Sequence, residues 1–166
     1  DILAQHRQGT RVLGICGGYQ MLGKTVSDPG GIEGEAGFSA GLGLLDVSTT
    51  LGPTKELRVE AATHVESGTP ISGYHMHMGV TSGPGLDRPF ARIGNASDGA
   101  VSADGLVMGT YLHGLFAADG FRRSFLGAAA QGSTLAYEQM VDETLDALAV
   151  HLERHLDLDA LLELAR

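Results

Sequence analysis

The chain has 166 residues, with 11 Lys and Arg against 20 Asp and Glu, so its formal charge is −9. The length suits one compact domain, and the 43% of hydrophobic residues can build a core. The acidic balance argues against nucleic acid or an anionic membrane as the main partner. One cysteine excludes an intrachain disulfide, and no apolar run is long enough to span a bilayer. We therefore expect a protein of the reducing cytoplasm.

The first half of the chain predicts strands separated by turns and short helices. Residues 1–8 look like the end of a helix that stops at Gly9. A strand is expected at 10–15 and a helix at 19–24, whereas the glycine-rich stretch 27–43 predicts a loop. Further strands are expected at 44–50, 57–65 and 71–80. In the last of these, Tyr74 lies on one face, and His75 and His77 lie on the other.

The second half ends in helices. One strand is expected at 90–93 and a buried one at 106–112, followed by a helix from 119 or 120 to about 130. From about residue 134 apolar residues recur with a period of 3.6, which predicts an amphipathic helix packed in the core or, as the second choice, against a partner. Asp159 is expected to cap a last helix at 160–165. This mixture indicates an α/β or α+β fold.

The strongest chemical signal is Gly14-Ile15-Cys16-Gly17-Gly18, a Gly-x-Cys-x-Gly elbow between a predicted strand and a predicted helix. A nucleophile at such a turn needs small neighbours. The helix behind it favours a thiolate, and the Gly17 N–H is placed to stabilise an oxyanion. The alternative is a buried structural cysteine, because cysteine often acts as a small apolar residue.

A cysteine nucleophile needs a base, which is usually histidine. His113 is the best candidate because it follows an apolar strand and precedes Gly114. The carboxyl ends of parallel strands line one crevice, so Cys16 and His113 are expected to meet there. The alternative is a histidine that is only hydrogen-bonded in a loop.

Other sites are weaker. His75 and His77 share a strand face and could bind a metal with His64, but no Cys-x-x-Cys or His-Glu-x-x-His pattern supports this, so no metal is expected. No phosphate-binding P-loop occurs, so no cofactor is expected in this chain. His151 and His155 are expected on a solvated helix face.

Four segments in this order resemble the glutamine amidotransferase domain of the cobyric acid synthases. They are GICGGYQMLG at 14–23, GYHMHMG at 73–79, GTYLHGLF at 109–116 and HLDLDALL at 155–162. The resemblance covers nearly the whole chain and implies a flavodoxin-like class I amidotransferase fold. It also implies that glutamine is hydrolysed to glutamate and ammonia.

The resemblance also assigns residues and partners. Cys16 matches the family's nucleophile and His113 its histidine, and Gln20 matches the residue that contacts glutamine. Tyr74 and His77 are further expected substrate contacts. The implied partner is an ATP- and Mg²⁺-dependent synthetase domain of the same polypeptide, which binds the corrin acceptor, cobyrinic acid a,c-diamide. That domain amidates corrin carboxylates on the way to vitamin B12.

The chain differs from most class I enzymes in one place and from the family pattern in two others. Most class I enzymes have a glutamate two residues after the histidine. The cobyric acid synthases lack this glutamate, and in this chain the position is occupied by Leu115. His75 stands where the family typically has Glu. Upstream strands, with half of the oxyanion hole, are missing before Asp1, so the chain looks like a C-terminal piece. We therefore expect the isolated chain to be inactive or very slow.

Three alternatives remain open. The chain could instead be the amidotransferase part of cobyrinate a,c-diamide synthase. It could also be a cell-wall amidotransferase subunit of similar fold. The non-enzymatic alternative is an inactive module for binding or assembly. A hydrolase of esters is a weaker possibility, because an esterase does not require Gln20.

Overall fold

Helices in the computed structural model lie at the start, after the first strand and through the last third of the chain. The model describes residues 1–165, apart from the side chains of residues 55 and 56. The helices are α1 (Ile2–Arg7), α2 (Gly17–Leu22), α3 (Asp119–Leu126), α4 (Tyr137–His155) and α5 (Leu158–Leu164).

Strands occupy most of the region between α1 and α3. They are β1 (Val12–Ile15), β2 (Thr25–Asp28), β3 (Gly37–Ala40), β4 (Ser48–His64), β5 (Pro70–Ser82), β6 (Ala91–Ile93), β7 (Ala96–Asp98), β8 (Ala100–Val101), β9 (Val107–Thr110) and β10 (Leu112–His113).

These strands form two sheets in the described part of the chain. The first has the order β1-β9-β8, with β1 parallel to β9 and β8 antiparallel to it. The second follows the path β10-β5-β4-β2-β3, and β6 joins it through β4 and carries β7. Its main part is the long antiparallel hairpin of β4 and β5, whose register shifts between residues 50 and 55. The chain passes from the first sheet to the second between β9 and β10.

The two faces of β9 belong to two apolar clusters. Val107 packs with Tyr19 and Leu22 of α2 in one cluster. Met108, the next residue, packs in the other cluster with Phe121 of α3. Neighbouring residues of a strand point to opposite faces, so a helix covers each face of the first sheet at this strand.

Two paired glycines let α2 lie close to the first sheet. Gly14 of β1 is paired with Gly109 of β9. A Cβ atom on Gly14 would lie 2.7 Å from the carbonyl oxygen of Gly18, and one on Gly109 would lie 1.9 Å from Cδ2 of Tyr19. Since real Cβ atoms do not approach so closely, both positions require glycine.

Most predicted elements are confirmed with shifted ends. The structure confirms the helix before Gly9, the strand–turn–helix around Cys16, the strand around 71–80 and the helix that begins at residue 119. His151 and His155 are exposed on α4, as predicted, with ring centroids 4.4 Å apart.

The predicted loop at 27–43 is wrong, because β2 and β3 pair antiparallel across it. The Asp28 carboxylate accepts hydrogen bonds from the backbone N–H groups of Ile32 and Glu33, at 2.8 and 2.9 Å, and so stabilises the turn between the strands. These bonds hold the pKa of Asp28 below its usual range.

Three other boundaries are corrected. The strands predicted at 44–50 and 57–65 are one strand, β4, which pairs with β5 along most of its length. The strand predicted at 106–112 breaks at Tyr111, where the chain changes sheets. Helix α5 is capped by Asp157 rather than Asp159, since the Asp157 carboxylate accepts from the Ala160 N–H at 3.1 Å.

The prediction that the stripe of α4 packs in a core is wrong. Most of its large apolar side chains are exposed, including Leu145 at 55% and Leu148 at 49%, while Val141 is half-buried. Within residues 1–165 no residue of α4 is buried. The second choice, packing against a partner, stays a prediction.

We predict that Gly109→Ala destabilises the chain by about 2–3 kcal/mol, because the new methyl group would overlap the Tyr19 ring. Gly52→Ala is the matched control, because a Cβ on Gly52 meets no described atom within 4 Å. It should change the free energy of unfolding by no more than about 0.5 kcal/mol. Urea unfolding of both variants measures this, and equal stabilities would contradict the proposed close contact.

We predict that His64 makes the chain less stable in weak acid. Its ring is buried between Phe90 and Phe121, at centroid distances of 4.7 and 5.3 Å, and this burial lowers its pKa. The unfolded chain then binds the proton more tightly, so the stabilisation is complete above about pH 6.5 and is lost as the pH falls below it.

Urea unfolding at pH 7.5 and 5.5 should show a smaller loss of stability for His64→Phe than for the unmodified chain. His151→Phe, at an exposed histidine of α4, should keep the full loss. Identical pH dependence in the His64 variant and the unmodified chain would refute the assignment.

Candidate active site

Cys16 lies at a strained turn between β1 and α2. Its backbone has φ 55° and ψ −117°, which makes it the single residue other than glycine with positive φ among the described residues. Its N–H donates to the carbonyl oxygen of Thr110 at 2.9 Å. A conformation of this kind costs about 1–3 kcal/mol and persists only where surrounding structure imposes it. The pairing of β1 with β9 and the close contact of α2 supply that structure.

The structure brings Cys16 and His113 together through one backbone oxygen. The Cys16 Sγ lies 3.4 Å from the carbonyl oxygen of Met76, and the His113 Nε2 lies 3.3 Å from the same oxygen. The distance between the Cys16 Sγ and the His113 Nε2 therefore cannot exceed the sum of these two distances. Both groups thus approach the same carbonyl oxygen, and their pairing and chemical roles stay predictions.

The His113 ring stacks on a residue of β5. His113 of β10 pairs with Tyr74 of β5, and the two rings stack at 5.0 Å with 9° between their planes. Two residues further along, Leu115 is 1% exposed and packs in the apolar cluster that contains Phe121. The position of the usual glutamate is thus part of the core here.

Gln20 is fixed one helical turn after Cys16. Its Nε2 donates to the Met78 carbonyl oxygen and to the Tyr111 hydroxyl, both at 3.2 Å. That hydroxyl also lies 2.6 Å from the Thr81 Oγ1. The side chain is therefore held in one orientation beside the cysteine.

A cavity of about 220 Å³ opens beside Cys16, large enough for a small amino acid. His77 lines it, and its ring stacks on Tyr111 at 3.9 Å. Tyr74 lies outside this lining, against His113. The lining residues are Cys16, Gly17, Gln20, Glu33, Leu51, Met76, His77 and Met78.

Four of the six predicted site residues, Cys16, Gly17, Gln20 and His77, thus share one cavity. Sequence reasoning missed Glu33 and Tyr111. Glu33 falls in the stretch interpreted as loop, and no motif marks it. Tyr111 lies in a segment predicted to be one continuous buried strand, and no sequence motif indicates that its hydroxyl contacts Gln20.

The histidines do not form a metal site. His75 and His77 have ring centroids 5.7 Å apart, but His64 lies among Phe90 and Phe121. In residues 1–165, no group of three His, Cys, Asp or Glu side chains is arranged to hold a metal ion.

None of the described helices is long and apolar enough to cross a membrane.

Comparison with known proteins decides the family. Residues 1–121, which include Cys16 and His113, match the model of the CobB/CobQ-like glutamine amidotransferase domain. The chain belongs to this family. The predicted class I amidotransferase fold is thereby confirmed.

The relatives of this amidotransferase domain include cobyric acid synthases, as the sequence resemblance predicted. The enzyme of Cereibacter sphaeroides strain ATCC 17025 is 56% identical over 167 residues, and that of Rhodobacter capsulatus is 53% identical over 167 residues. The enzyme of Bradyrhizobium diazoefficiens is 51% identical over 167 residues. Each alignment covers 100% of this chain and 35% of the relative, so the chain spans about a third of their length.

We predict that Cys16→Gly leaves the amidotransferase domain more stable than Cys16→Ala by about 1 kcal/mol. Both variants lose the sulfur, but glycine adopts positive φ without steric cost, whereas alanine keeps the strain. Urea unfolding of the two variants side by side measures the difference. A more stable alanine variant would show that the turn carries no strain.

Proposed function

We propose that this chain is the glutaminase part of a cobyric acid synthase. The observation that supports it best is the convergence of Cys16, at the amidotransferase elbow, and His113 on the Met76 carbonyl oxygen. The same conclusion is supported by the chain's membership of the amidotransferase family. It is also supported by sequence identities of 51–56% to three cobyric acid synthases, over the 35% of their length that aligns with this chain.

In the proposed reaction, the Cys16 thiolate attacks the side-chain amide carbon of glutamine. The Gly17 N–H stabilises the oxyanion that develops, together with a donor outside this chain. His113 protonates the departing nitrogen, so ammonia leaves and a γ-glutamyl thioester remains on Cys16. His113 then takes a proton from water, which attacks the thioester and releases glutamate and the thiol.

Gln20 and His77 are the proposed substrate contacts, and Tyr74, also expected to contact substrate, is proposed to act through His113 instead. Gln20 and His77 line the cavity beside Cys16, where a glutamine side chain would meet the sulfur. Tyr74 contributes through the His113 ring that it stacks against. The cavity therefore binds the reacting amide, and the wall formed by β5 orients it.

We also propose that the chain works within a longer polypeptide. The relatives it matches are about three times as long, which leaves room for a synthetase domain that uses ATP and Mg²⁺. The corrin acceptor, cobyrinic acid a,c-diamide, would bind to that domain and receive the ammonia. The upstream segment would also complete the oxyanion hole, so the chain alone should be inactive or very slow. The cytoplasm, where such a reduced thiol persists, is the proposed location.

We predict that the longer polypeptide releases ammonia from glutamine, that Cys16→Ala abolishes this activity, and that His113→Ala lowers it about 10²–10⁴-fold. Ammonia release is measured directly, and amidation of the corrin acceptor with added ammonium salt measures the synthetase separately. His155→Ala on the exposed face of α4 is the control and should leave both activities unchanged.

Full glutaminase activity in the Cys16 or His113 variant would remove that residue from the mechanism. A longer polypeptide that amidates with ammonium but never with glutamine would favour an inactive binding or assembly module. Failure of a glutamine-like chloroketone to label Cys16 would point in the same direction.

A further inference from the structure

Between β9 and β10 the chain passes from the first sheet to the second across a single residue, Tyr111, and the site lies directly beyond it. Thr110 is the last residue of β9 in the first sheet, and Leu112 is the first residue of β10 in the second. Tyr111 between them bonds to Gln20, and His113 follows immediately. The placement of both groups therefore depends on the conformation of residues 110–112.

A buried carboxylate holds this crossover. Asp98, at the end of β7, is 4% exposed, and its Oδ2 accepts a hydrogen bond from the Thr110 hydroxyl. Its Oδ1 accepts from the Tyr111 N–H at 3.3 Å. The Thr110 Oγ1 in turn accepts from the Leu112 N–H at 3.0 Å. Asp98 and Thr110 together, the Asp98–Thr110 pair, satisfy two consecutive N–H groups where the chain leaves one sheet for the other.

A buried, charged group of this kind is a strong constraint. Burying a carboxylate is costly unless it is paired and hydrogen-bonded, and N–H groups that leave a sheet need new acceptors. His75 adds a further contact, because its Nε2 lies 3.2 Å from the Asp98 Oδ1. The carboxyl group therefore links β7 to the crossover and lies against His75 of β5.

We propose that Asp98 is a positioning residue of the amidotransferase site, which acts through Thr110 and the backbone of residues 111 and 112. In this role Asp98 touches neither glutamine nor the sulfur. It fixes the crossover that presents Tyr111 to Gln20 and His113 to Met76 and Cys16. The inference rests on the proposed glutaminase function, and its test separates the two.

The test uses Asp98→Asn and Thr110→Val in the longer polypeptide, with Thr110→Ser as the matched control. Asn replaces an acceptor oxygen by a donor, and Val keeps the shape of Thr without its hydroxyl. Ser keeps the hydroxyl. We expect the first two variants to lower kcat for glutamine hydrolysis about tenfold to a hundredfold, since a small misplacement of a reacting group has effects of this size. The Ser variant should stay within about threefold of the unmodified protein.

Two readouts separate positioning from general damage. Amidation supported by added ammonium salt should be unchanged in all three variants, which shows that the synthetase is intact. Urea unfolding of the three variants checks that the amidotransferase domain is folded. In a double-mutant cycle, Asp98→Asn should cost less once His113 is replaced by Ala than it does alone, because part of the effect of the aspartate reaches the site through that histidine. Fully additive losses, or a Thr110→Val variant as active as Thr110→Ser, would overturn the proposal.

A third readout does not require glutaminase activity. Hydrogen exchange at the amides of residues 111 and 112, and the NMR signals of the His113 ring, should change in Asp98→Asn and Thr110→Val but not in Thr110→Ser. If the protein hydrolysed no glutamine, the proposed function would fail while these measurements still decided the positioning role. Unchanged exchange and unchanged ring signals would refute it.

Discussion

The site depends on the junction of two sheets at Tyr111. Pairing of β1 with β9 places Cys16 beside Thr110, and pairing of β10 with β5 places His113 beside Met76. Along the chain, only Tyr111 separates the end of β9 from the start of β10. The separation of the sulfur from the imidazole is therefore determined by backbone hydrogen bonds rather than by flexible side chains. The proposed catalytic roles of the two residues need support of this kind.

The sequence predicted the parts of the site that are local. The elbow around Cys16 could be predicted because a strand, a nucleophile and small neighbours follow one another directly. His113 could be predicted because it ends an apolar segment. The family resemblance added Gln20, whose hydrogen bonds to Met78 and Tyr111 come from segments far away in sequence.

The parts that depend on pairing between distant segments could not be predicted. Strands β2 and β3 lie in a glycine-rich, polar stretch, so no periodic pattern indicates them, and they exist through pairing with each other and with β4. The apolar run at 106–112 looks continuous, although the chain changes sheets within it. Asp98 looks like a turn residue, and its burial follows only from its contacts with Thr110 and His75.

The orientation of His113 illustrates how this fold manages without the usual glutamate. Leu115 is buried in the apolar cluster, where a carboxylate would have to lose its water. In its place, Tyr74 stacks on the imidazole and the Met76 carbonyl faces Nε2. A carbonyl oxygen only accepts, so it favours the ring with a proton on that nitrogen. In the proposed reaction, the imidazole that protonates the departing amide nitrogen is therefore held by a tyrosine ring and a backbone carbonyl rather than by a carboxylate.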